Sequence, residues 1–126
     1  MAYILLTRLC REIKKDEKTG KDLLMGESDN PAWISSGFVL AVYWLGYIGE
    51  SFSLSYALMD EADNILNHPP ARECEFIGEE INVSIANFNA AFPHPGGYHI
   101  NIYQNGLCTK TISLDVIESQ RNLETE

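Results

Sequence analysis

No stretch of the sequence approaches the ~20 consecutive apolar residues of a membrane-spanning helix. The opening Met1–Leu6 is too short for a signal peptide and carries no basic segment ahead of it. Basic residues are scarce: nine Lys and Arg stand against eighteen Asp and Glu, a net charge of −9. Six of the nine bases fall within residues 8–22, which leaves −11 on the rest of the chain. Such a field repels phosphate backbones, so no nucleic-acid partner is expected, and no membrane either. Within residues 8–22 the bases alternate with acids, as they do in a solvated hairpin. Cysteine is limited to Cys10, Cys74 and Cys108, an odd number without C-x-x-C spacing. That usage fits a reducing, cytoplasmic location. Cys10 and Cys108 sit in strand-like segments, where a free thiol is expected to act as a small hydrophobe.

The sequence is equally poor in catalytic constellations. It has no G-x-S-x-G, and His68, His94 and His99 do not stand at zinc-ligand intervals from the cysteines. Glu73 and Glu75 flank Cys74 with period two, as solvated positions do, rather than facing a cleft as paired acids would. Asp60–Asn64 offers oxygens but lacks the glycine and distal glutamate of a calcium loop, and reads as a turn. Gly96-Gly97 precedes a strand instead of a helix, so it is no phosphate cradle. His94 and His99 bracket that turn and read as two surface histidines. The expectation is a protein that is not an enzyme and needs neither metal nor cofactor.

What the sequence does have is alternation. Phe52, Leu54, Tyr56 and Leu58 alternate with small or polar residues, as do Ile81, Val83 and Ile85; Tyr98, Ile100 and Ile102; and Ile112, Leu114 and Val116. Period two marks half-buried antiparallel strands. Asn105-Gly106 between two such runs is a strong hairpin signal, because both residues tolerate positive φ. Lys18–Lys21 breaks an early hairpin with arms near residues 3–14 and 22–26, while Pro69-Pro70 and residues 93–97 must be loops. The pattern predicts an all-β, antiparallel, immunoglobulin-like β-sandwich of about seven to nine strands. It spans residues 1–117 as one domain, with a polar tail at 118–126.

Residues 38–48 depart from this pattern, being apolar on both faces, and residues 3–10 are nearly so. A strand in a two-layer sandwich has one core to face, so its other face needs a cover. The chain's own loops, another subunit, or a ligand platform of Tyr43, Tyr47 and Trp33 would each provide one. The leading expectation is a protein-interaction or assembly module that self-associates into a homo-oligomer through Tyr43, Trp44 and Tyr47, with Trp33 nearby. The alternative is a small-ligand binder using aromatic side chains together with Arg and Lys at loops or a subunit boundary. In that case Arg8, Arg11, Lys14 and Lys15 would have to converge with Arg72 or Lys110 on an anion.

Leu9-Cys10-Arg11-Glu12-Ile13, the charged turn, and Asp22-Leu23-Leu24-Met25-Gly26 together resemble the start of an uncharacterised family of small bacterial β-sandwich proteins. Residues 92–106, from Phe92-Pro93-His94-Pro95-Gly96-Gly97-Tyr98 to Gln104-Asn105-Gly106, are similar to that family's closing hairpin, and to hairpins of immunoglobulin-like bacterial domains. The resemblance implies the fold and brings no catalytic residues.

Overall fold

The computed structural model describes residues 2–10, 12–19, 22–25, 38–88, 92 and 94–116. Trp33, Arg11 and the tail at 118–126 lie outside the described residues. The strands are β1 (Tyr3–Cys10), β2 (Glu12–Lys15), β3 (Asp22–Met25), β4 (Phe38–Leu45), β5 (Ser51–Asp60), β6 (Ile65–Asn67), β7 (Arg72–Glu75), β8 (Ile81–Phe88), β9 (Gly96–Gln104) and β10 (Leu107–Val116). Among the described residues there is no helix.

Eight strands form two antiparallel sheets, one in the order β1-β4-β8 and the other β10-β9-β5-β6, with β7 also paired to β5. Between the sheets lies one core. Leu40, Val42 and Trp44 of β4 meet Phe52, Leu54, Tyr56 and Leu58 of β5, Ile100 and Ile102 of β9, and Leu114 of β10. The alternating stripes of β5, β9 and β10 thus point inward, as period two requires of a strand with one buried face. At Asn105 (φ 52°) and Gly106 (φ 83°) both turn residues adopt the left-handed conformation of a tight hairpin. Asn105 is held further by Ser53, whose N–H donates to its Oδ1 at 2.9 Å.

Two expectations need correction. The segment 3–14 is not one hairpin arm: β1 pairs with β4, and only β2 pairs with β3, Lys15 opposite Asp22. The second correction concerns β8, whose apolar stripe faces away from the core. Its register on β4 sets Ser84 opposite Val42 and Ala86 opposite Leu40, so Ser84, Ala86 and Phe88 face inward. Phe88 decides the orientation, stacking on Phe38 at 5.1 Å and standing edge-on to Tyr56 at 6.0 Å. Buried Ser84 is satisfied by Cys74 Sγ at 3.5 Å and by Asn82 Oδ1 at 3.4 Å.

That thiol contact belongs to a seam. β7 hydrogen-bonds as a strand to β5, yet it reaches β8 through side chains. Arg72 Nη1 donates to the Ile85 carbonyl at 3.1 Å, and Asn82 Nδ2 donates to the Glu75 carbonyl at 2.6 Å. The outer edge of β8 is thereby occupied. No helix of the described residues is long and apolar enough to cross a membrane.

Candidate interaction face

In an antiparallel sheet, directly opposed residues share a face. The register of β1, β4 and β8 therefore groups Tyr3 with Leu45 and Ile81, Leu6 with Tyr43 and Val83, and Arg8 with Ala41 and Ile85 on the outer face of this sheet. Cys10 and Val39 continue the same face. Its two halves differ in cover. Cys10, Val39 and Ala41 are almost fully buried without belonging to the inter-sheet core, and β2 approaches β4 there. The other half is open: Tyr3 is 56 % exposed, Ile81 52 %, Val83 45 % and Leu6 40 %. Tyr43 and Leu45, between them on β4, are half-buried. A β-bulge between Ile4 and Leu6 re-phases β1, so that Ile4 joins the core while Tyr3 and Leu6 share the outer face.

Beyond the end of β4 the turn is also apolar and exposed. Tyr47 and Ile48 are largely exposed, and Ile77 stands beside them because the Gly49 N–H donates to the Phe76 carbonyl at 2.7 Å. Glu50 ties this corner together, accepting the N–H of Tyr47 at 3.1 Å and that of Ala2 at 2.5 Å. These bonds, Tyr47 first, hold its carboxyl below the usual range against a partial desolvation penalty. Neither of the two opposed triplets nearest this corner contains a charged residue.

The structure therefore separates the residues singled out from sequence. Tyr43 lies on the open face and Tyr47 is exposed in the turn after β4, while Trp33 lies outside the described residues. Trp44 points the other way. It is 0 % exposed, and its ring packs on Phe52 at 4.7 Å, so it is a core residue rather than a contact residue. Tyr3, Leu6, Ile81 and Val83 were missed as contact residues. Ile81 and Val83 stand in the sequence as the apolar side of an alternating strand, and Tyr3 and Leu6 in a segment apolar on nearly both faces, and neither signal says which side a partner would meet.

Groups with chemical potential elsewhere are scattered over the molecule. Burial raises the pKa of the Cys74 thiol and of the Tyr56 phenol, which keeps both protonated. His99 Nε2 lies 3.4 Å from Asp63 Oδ1, and His94 Nδ1 lies 2.9 Å from the Pro95 carbonyl. Asp60 closes its own turn: its Oδ1 accepts the N–H groups of Ala62 and Asn64, each at 2.9 Å. Cys108, expected to pack as a hydrophobe, is instead exposed near the tip of the β9–β10 hairpin. Among the described residues no three His, Cys, Asp or Glu side chains are grouped to hold a metal ion.

Fold and surface together define an all-β sandwich with one half-open apolar sheet face. No protein-family model matches the sequence, and no curated protein matches it.

Proposed function

We propose that the protein is a non-catalytic assembly module that pairs with a second copy of itself through the open half of the β1–β4–β8 face. The observation behind this reading is the contiguous, uncharged patch of Tyr3, Leu6, Tyr43, Leu45, Ile81 and Val83. Together with Tyr47 and Ile48, its exposed surface is on the order of several hundred Å², at the upper end of what a monomer leaves bare and approaching the ~800 Å² each partner buries in a stable complex. A two-fold axis lays such a patch on its own copy. A basic partner would be drawn to the acidic surfaces that give the chain its −9 charge, and the uncharged triplets offer it no handle.

We further read the sandwich as immunoglobulin-like, in keeping with its resemblance to small bacterial β-sandwich proteins. Two features support this. The order β1-β4-β8 against β10-β9-β5 follows the A-B-E and G-F-C strands of that fold, with the chain changing sheet between β4 and β5, back between β7 and β8, and again between β8 and β9. Tyr98, near the start of β9, donates its hydroxyl back to the His94 carbonyl at 2.5 Å, the bond of a tyrosine corner. Three free thiols, one of them exposed, favour a reducing cytoplasm.

Sedimentation equilibrium tests the assembly. The parent should dimerise, and Tyr43→Ala should weaken the dimer by roughly 2 kcal/mol. Val83→Lys should yield a folded monomer by circular dichroism. A parent that stays monomeric at its solubility limit, or a Val83→Lys variant that dimerises like the parent, refutes the reading.

A further inference from the structure

The turn between β9 and β10 carries the only Asn-Gly step in the chain, Asn105-Gly106. That pair has a chemistry of its own. The Gly106 backbone nitrogen, unhindered by a side chain, can attack Cγ of Asn105. The new N–C bond closes a cyclic succinimide as the bond from Cγ to the side-chain nitrogen breaks, and ammonia leaves with the proton that Gly106 gives up. Water then opens the ring at either carbonyl, leaving aspartate or isoaspartate. The step needs no oxidant, metal or second protein. Both residues are exposed, and nothing beyond its chain neighbours stands within 4 Å of the point where a side chain on Gly106 would begin, so water reaches the pair freely.

Two features of the fold nevertheless hold the amide out of reach. The first is the backbone. Asn105 has a φ of 52°, in the left-handed region, where the rotation about Cα–C sets the Gly106 nitrogen across from Cβ. Ring closure needs the opposite arrangement, with that nitrogen turned in beside Cβ, so the residue must leave the turn before it can react. The second is the side chain. Its Oδ1 accepts the Ser53 N–H at 2.9 Å, while the Asn105 N–H donates to the Ser53 carbonyl at 2.8 Å. Asn105 thereby adds one more rung beyond the Leu54–Gln104 pair of β5 and β9. This clasp closes the exposed tip of a hairpin, and β10 is bulged just past it, between Cys108 and Lys110. Such ends open locally at lower cost than the strands behind them.

We infer that Asn105 is a deamidation site held latent by the hairpin, which reacts when the Asn105–Ser53 clasp opens. Its two products differ in what they do to the fold. Aspartate keeps an oxygen where Oδ1 was and accepts the Ser53 N–H again. Isoaspartate adds a methylene to the main chain of a tight turn, and that turn no longer joins Gln104 to Leu107 in register. Either product adds a negative charge. The test follows the full chain at mildly alkaline pH, folded in buffer and unfolded in urea. Ion exchange reads the added charge, and tandem mass spectrometry with electron-transfer fragmentation places it at Asn105 and separates the two products. The unfolded chain should react at Asn105 about tenfold faster or more, and the folded chain should be slowed at least as much as the Ser53 amide is protected from hydrogen exchange. Asn105→Asp should keep Ser53 protected as in the parent, and the refolded isoaspartate product should lose that protection. Equal rates in the folded and unfolded chain overturn the inference. So does a folded chain that reacts faster than the opening of Ser53 allows, or an isoaspartate product in which Ser53 stays protected.

Discussion

Tyr98 joins the loop before β9 to the core with one side chain. Its ring meets Phe92 edge-on at 4.7 Å, and its hydroxyl donates to the His94 carbonyl at 2.5 Å. Tyr98→Phe keeps the ring and removes the bond, so unfolding in urea should show a loss of about 1–2 kcal/mol with an unchanged slope. Asp60 works through charge. The Asn64 backbone N–H first, then the Asn64 side chain and the Ala62 N–H, hold its carboxyl below the ordinary range. A carboxyl whose folded pKa lies below its unfolded value of about 3.9 stabilises the fold above that pH, and the contribution is lost as pH falls through the folded pKa. Asp60→Asn should therefore be less stable than the parent near neutrality. The gap should close as the urea midpoint is followed from about pH 5 down to about pH 3, and a gap that stays constant would place the effect in packing rather than ionisation.

At the scale of the strand, β8 separates what is legible in a sequence from what is not. Alternation of Ile81, Val83 and Ile85 with Asn82, Ser84 and Ala86 establishes a strand with two unlike faces. It does not say which face is the core. That is settled by Phe88, which stacks on Phe38 and stands edge-on to Tyr56, and by Cys74, which satisfies Ser84 from across the seam. Phe88→Ala should cost about 3–5 kcal/mol in chemical unfolding, as a core truncation does. Val83→Thr, on the outer face, should stay within about 0.5 kcal/mol. Comparable losses from both would restore the face expected from alternation. The β9–β10 hairpin was legible because Asn105-Gly106 admits few other conformations. The division of residues 3–14 between β1 and β2 was not, since it depends on β4 claiming β1 from far along the chain. In the candidate face the same limit applies to Tyr43 and Trp44. Adjacent strand residues point to opposite faces, so only one of the pair could ever reach a partner, and the core took the larger.

At the scale of the whole molecule, charge and contact act against each other. Each copy has a net charge of −9, so bringing two together is opposed by a repulsion that salt screens. Raising ionic strength should therefore tighten the dimer a few-fold in sedimentation equilibrium. A dimer that loosens with salt would point to ion pairs across the interface instead of the apolar face.

The order of strands has a temporal consequence as well. The β10-β9-β5-β6 sheet contains ladders between chain neighbours, β9 with β10 and β5 with β6, which close over short turns. The β1-β4-β8 sheet contains none: Val42 must find Ser84, and Leu6 must find Tyr43, across long intervening stretches. Closing long loops is slow, so this sheet should be the late step of folding, on the millisecond-to-second scale of non-local β proteins. The apolar outer face takes shape only with that step. If two copies pair through that face as proposed, a nascent chain has no finished surface to present until then, and the clock of folding would become the clock of assembly.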